Sequence, residues 1–200
     1  MPNPIDVRKY RGYTIEIYPD LDPTNPRDWD NLGTMVCFHP RYELGDPHNY
    51  TPEELIALIK SGDYLCLPLY LFDHSGLAMS TDANRFAVWD SAGWDWGQVG
   101  YIIVSKEKIR KEYNCKRITR KIREKVLNAL RAEVQAYDAF LRGEVYGYTI
   151  IDPHGEPIDS CWGFLGDPEE SGLLDYAKNA IDVDLANRPM LFEPAREVIA

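Results

Sequence analysis

The sequence predicts an α+β fold, an antiparallel sheet covered by one long amphipathic helix and shorter helices, in a single domain over residues 1–200. Three observations carry this expectation. Short segments of alternating residue type, bounded by Gly, Pro, Asn and Asp, recur along the chain as strands joined by turns do. Between residues 118 and 141 apolar side chains instead return every three or four positions, the spacing of one buried helical face. No internal repeat or linker interrupts the chain, and 200 residues at 44% apolar content suffice to fill a core.

Residues 12–18 alternate with the period of a half-buried strand, and Pro19 ends it. Residues 20–30 are dense in Pro and Asp and read as a loop. The spacing of Asp20, Asp22, Asp28 and Asp30 hints at a calcium loop, but the Gly and terminal Glu of an EF-hand are missing, which favours a solvated acidic loop. Residues 34–38 form a second strand. Thr51, Pro52 and Glu54 are an N-cap, a first-turn proline and the closing member of a capping box, so a helix runs from there to about Ser61, where Gly62 stops it. Residues 65–72 are apolar almost throughout, as in a strand buried on both faces, while Pro68 marks an edge or a bulge. Residues 77–80 return as a hairpin arm. Residues 99–104 are another strand, and Ser105 caps a helix or broken helix pair that extends to Arg142 with Gly143 as its C-cap. Its buried stripe is Ile118, Ile122, Val126, Leu130, Val134, Tyr137 and Leu141. Residues 144–151 and 157–164 form a hairpin, followed by a helical stretch near 169–181 and a further one after Pro194.

The net charge of −10 excludes a protein that binds nucleic acid over its whole surface. The charge is divided unevenly. Residues 105–131 hold eleven of the twenty-two Lys and Arg but only three Glu, a net of +8 against −18 for the remainder. Lys116, Arg117, Arg120, Lys121, Arg123 and Lys125 fall mainly outside the buried stripe. Of these, Arg117, Arg120, Lys121 and Arg123 are the candidate contacts for nucleic acid or an acidic partner. The plainer alternative is that they pair with the protein's own carboxylates. Asp20, Asp22, Asp28 and Asp30, with Asp46, Asp63, Asp82, Asp90 and Asp95, give the first half an acidic character suited to occupying a nucleic-acid channel on another protein, or simply to solubility.

Cys37, Cys66, Cys115 and Cys161 include no C-x-x-C pair, and the four histidines are equally scattered, so neither a metal site nor a cofactor is expected. No apolar run is long enough to span a membrane and no signal pattern opens the chain, which places it in the cytoplasm.

Trp89, Asp90, Trp94, Asp95 and Trp96 fall within eight residues of a Gly-containing segment. Such a loop has the composition of a protein-binding hot spot or a carbohydrate platform, or its rings cover a sheet end. Asp90 and Asp95 as an acid/base pair, or Asp73 and His74 as parts of a triad, would make a small hydrolase, although no nucleophile elbow accompanies them.

Residues 67–76 (Leu-Pro-Leu-Tyr-Leu-Phe-Asp-His-Ser-Gly), the Trp89-Asp90-Ser91 run leading into Gly97-Gln98-Val99-Gly100 and on to Glu107, Glu133-Val134-Gln135-Ala136-Tyr137-Asp138, Gly143-Glu144-Val145-Tyr146-Gly147 and Asp159-Ser160-Cys161-Trp162-Gly163-Phe164 resemble an uncharacterised family of small proteins encoded by bacteriophages and conjugative elements. The resemblance covers about residues 65–165, and residues 92–96 interrupt the family's compact Trp-Asp-Ser-Gly-Gln-Val-Gly pattern. It brings no assigned catalytic residues. It implies an accessory protein of the anti-CRISPR or antirestriction type, small, acidic and non-enzymatic, that evades host defence as an inhibitor of a defence protein or ribonucleoprotein complex. The expected contacts are the acidic loops and the 89–96 segment. A nucleic-acid-binding module built on residues 105–131 is the alternative, and a hydrolase using Asp73, His74, Asp90 or Asp95 a second.

Overall fold

The computed structural model describes residues 3–187. They form two compact units, residues 3–20 with 146–187, and Leu21–Val145. The α+β class follows the sequence patterns, but the strands divide between two antiparallel four-stranded sheets rather than entering one. The helical stretch expected after Pro194 lies outside the described residues.

In the first unit the sheet order is β1-β2-β7-β8, with β1 Asp6–Tyr10, β2 Tyr13–Pro19, β7 Val145–Ile151 and β8 Pro157–Leu165. Alternation decides which face is buried. Tyr13, Ile15 and Ile17 of β2 join Tyr148 and Ile150 of β7 against Leu173, Leu174, Ala177 and Ile181 of a helix, Leu173–Asn187, labelled α5. The predicted turn between β7 and β8 is closed by the Asp152 N–H donating to the Glu156 carbonyl at 2.8 Å. Tyr148 donates from its hydroxyl to Asp159 at 3.1 Å.

The second unit is built in three layers around the order β3-β6-β4-β5, namely Thr34–Cys37, Trp96–Ser105, Tyr64–Asp73 and Leu77–Ser80. On one face Val36 and Ile103 pack with Leu55 of α1, Pro52–Lys60. That helix begins with the predicted capping box: the Glu54 N–H donates to the Thr51 hydroxyl and the Thr51 N–H to the Glu54 carboxylate. On the other face Met35, Leu69, Leu71, Ile102 and Val104 meet Ile109 of α3, Lys106–Glu112, and Val126, Leu130, Val134 and Tyr137 of α4, Arg120–Leu141. Each large apolar side chain so buried contributes about 1.5–3 kcal/mol. Between Asp73 and the residues before Trp89 lies the short helix α2, Asn84–Ala87.

Residues 105–142 are thus a broken pair rather than one helix. Asn114 takes a positive φ of 43°, and Thr119 caps α4 by accepting from the Ile122 N–H. At the other end Gly143, with φ 69°, makes the left-handed turn that an L side chain resists. Pro68 lies where β4 has β6 as its neighbour and has not yet reached β5, one residue before a register shift at Leu69/Tyr70, so its missing N–H leaves no ladder bond unmade. Among the described residues no helix is long and apolar enough to cross a membrane.

Candidate functional site

The 89–96 loop leaves α2 and enters β6, and Asp90 gives it shape. Its carboxylate accepts from the backbone N–H of Ala92 at 3.0 Å and of Asp95 at 2.9 Å, while its carbonyl accepts from the Trp96 indole N–H at 2.9 Å. Those N–H groups, Asp95's first, hold the Asp90 carboxyl below its ordinary range. At neutral pH it is ionised and serves as a brace, with no proton to donate. Gly93, at φ 72°, completes the tight turn.

The three indoles have different surroundings. Trp96 is half-buried, edge-on to Tyr70 at 6.2 Å. Trp89 stands edge-on to Phe72 at 5.4 Å, near Phe86, with the Arg85 guanidinium 5.4 Å from its ring, yet remains 53% exposed. Trp94 is 87% exposed, and Val88 beside Trp89 is 83% exposed. A braced loop therefore displays two indoles and a valine to solvent. Trp96 is the ring that covers the sheet.

Carboxylates and a histidine border the loop. The Asp73 N–H donates to the Asp95 carbonyl at 2.7 Å, His74 Nδ1 lies 3.0 Å from Asp95 Oδ2, and Arg41 pairs with Asp73, which also accepts from the Tyr42 hydroxyl at 3.4 Å. Asp73, His74, Asp90 and Asp95, the residues of the hydrolase alternative, lie close together, but all four are engaged in bracing or pairing. His74 is exposed and Asp95 half-buried. They form an acidic rim around the aromatic surface.

The second acidic loop is anchored from beneath. Arg27, in a 3₁₀ turn at Pro26–Asp28, donates twice to Asp46, from Nε at 2.8 Å and Nη2 at 2.7 Å, once to Glu133 at 3.1 Å, and to the Gly33 carbonyl at 2.8 Å. Burial opposes its charge, but Asp46 and then Glu133 outweigh burial and raise its pKa. Above this anchor Asp28 and Asp30 are exposed on either side of the half-exposed Trp29. Asp22 is exposed in the same unit, whereas Asp20 closes the first unit's chain segment and is half-buried.

Arg117, Arg120, Lys121 and Arg123 are all exposed, as are Lys116 and Lys125. Arg120 pairs with Glu124 one turn along α4 at 2.9 Å. Among the described residues it is the only one of the eleven cations in residues 105–131 to form an ion pair. Among the described residues, pairing of this face with the protein's own carboxylates is seen at Arg120 alone. Lys108 donates instead to the Asn31 carbonyl and Arg131 to Asn128.

Val88, Trp29 and the Arg41–Tyr42 pair escaped the sequence reading. Trp29 could have been found from the repeated signature of a Trp next to Asp in a loop, since Asp28-Trp29-Asp30 shares it with Trp89-Asp90 and Trp94-Asp95-Trp96. Arg41 could not, because its link to Asp73 spans 32 residues. A cleft of about 1010 Å³ in the second unit is lined by Arg27, Cys37, His39, Tyr42, Asp46 and His48, among others. Among the described residues no group of three or more His, Cys, Asp or Glu is placed to hold a metal ion. Compared with family models, curated proteins and solved structures, the chain matches none.

Proposed function

We propose that this chain is a stoichiometric binding protein that docks its acidic, aromatic loops onto a nucleic-acid-handling protein, and that in the host cytoplasm it inhibits a defence complex of that kind. The observation that carries the reading is the braced 89–96 loop, which holds Trp94 87% exposed beside the half-exposed Trp89, with Val88 at the end of α2 also exposed. Large apolar groups kept in water on a rigid support lose little conformational freedom when covered, so their burial goes mainly into affinity. Asp73, Asp90 and Asp95 on the rim, with Asp28 and Asp30 around Trp29, match the positive potential of a groove that accepts phosphates and speed the encounter. The resemblance to proteins of mobile elements agrees with such a role. No catalytic group is required.

The test is a panel of purified nuclease effectors from host defence systems, each mixed with the chain and followed by co-elution and by cleavage of its target. A 1:1 or 2:2 complex that suppresses cleavage, weakens with salt and is lost in Trp94→Ala is expected. Unchanged cleavage together with no co-elution across the panel rejects the reading.

A further inference from the structure

The cations at the start of α4 are placed against the helix's own interest. A helix N-terminus carries partial positive charge and is stabilised by Asp or Glu in its first turn. α4 has no acidic residue there. Instead Arg117 lies just before the Thr119 cap, with Arg120, Lys121 and Arg123 directly after it. Lys121 and Lys125, four apart on one face, add a like-charge pair that also disfavours the helix. Glu124 offsets one of these charges. Beyond the Arg120–Glu124 pair, folding gains little from this arrangement, which leaves the other cations available to a partner.

The chemistry of the face narrows the partner. Within residues 105–131, which carry these cations, no large apolar side chain is exposed. A protein interface needs an apolar centre, and single-stranded nucleic acid is held by exposed aromatic rings on which bases stack. The side chains of residues 105–131 offer neither. A duplex backbone asks only for cations at its phosphates. We infer that the exposed cations just before and within the first turn of α4, Arg117, Arg120, Lys121 and Arg123, bind the sugar–phosphate backbone of a nucleic-acid duplex without reading its bases. The acidic remainder does not forbid this, because at physiological salt a charge is screened beyond about 8 Å and contact is local.

The experiment is fluorescence anisotropy of a labelled 20-base-pair DNA duplex titrated with the full chain between 50 and 200 mM salt. If Arg117, Arg120, Lys121 and Arg123 each neutralise one phosphate, affinity falls about 150-fold over that range, from a slope of about 0.9 per phosphate. Two duplexes of unrelated sequence bind alike. The quadruple alanine variant loses this salt dependence, and Lys121→Glu alone weakens binding at least tenfold while its circular dichroism matches the parent. Trp94→Ala, which removes the surface proposed above, leaves duplex binding intact, so either proposal can fail without the other. No binding at 50 mM salt, equal binding by the quadruple variant, binding only to anionic lipid vesicles, or binding only to an acidic peptide would overturn the inference.

Discussion

Replacing Arg27 by Met tests whether the acidic loop is held by a buried charge network. The Arg27 side chain is 3% exposed, and its partners Asp46 and Glu133 are 18% and 13% exposed. The carboxylates have other donors: Asp46 accepts from the Met35 N–H at 2.8 Å, and Glu133 from the Leu32 N–H at 2.8 Å and the Gly33 N–H at 3.1 Å. They therefore stay in place when the guanidinium is gone, two like charges held together in a poorly solvated setting. Removing one partner of a buried ion pair costs about 3–5 kcal/mol, a large part of the 5–15 kcal/mol typical of a domain. With a urea slope of about 2 kcal/mol/M, the midpoint falls by roughly 2 M. Tryptophan fluorescence reports the second unit well, because Trp29, Trp89, Trp94 and Trp96 all belong to it. Adding Asp46→Asn to Arg27→Met recovers part of the loss by removing the uncompensated charge. A shift of under about 0.5 M in the single variant, or a further loss in the double, refutes the argument.

Burial first, and the Asp46 charge second, push the Cys37 thiol up to about 12, so at pH 8 Ellman's reagent leaves Cys37 unmodified until urea unfolds the second unit. Early labelling of Cys37, read by peptide mass spectrometry, contradicts that burial. Tyr148 is raised above 10.0 by burial and by its hydrogen bond to Asp159. A raised folded-state pKa means that its contribution is complete below pH 10 and is lost as pH climbs from there through the folded value. Stability should therefore decline above about pH 10, and Tyr148→Phe should flatten the decline; an unchanged alkaline limb in that variant disproves the assignment.

Local chemistry made much of the fold readable. Thr51 and Glu54, Ser105 and Gly143 act within a few residues of themselves, and each does what its type predicts. The stripe Val126, Leu130, Val134 and Tyr137 is buried because helical spacing leaves it no other arrangement. Strand pairing is not local. Ile15 pairs with Ile150 across 135 residues, and nothing in either segment says that they belong to a separate sheet from Val36 and Tyr101. β1 was missed because Val7, Arg8 and Lys9 are all exposed, which removes the alternation that betrays a strand. The site shows the same division. The composition of residues 89–96 pointed to a displayed loop, but Asp90's role depends on where the Ala92 and Asp95 N–H groups point, and composition does not encode that.

The division of −10 into +8 and −18 has a kinetic consequence once the positions are known. At low salt, where the screening length grows to about 30 Å, an approaching partner senses the whole molecule, which is acidic, so a basic protein surface is drawn in and nucleic acid is not. Within contact distance local charge dominates, and the basic start of α4 is then attractive to phosphate. The two surfaces therefore differ in rate as well as in ligand. Docking through the acidic loops should associate quickly and slow as salt rises. Duplex binding through the helical face should instead associate slowly at low salt, with its salt sensitivity in dissociation, because the acidic body opposes the approach that the basic face rewards on arrival.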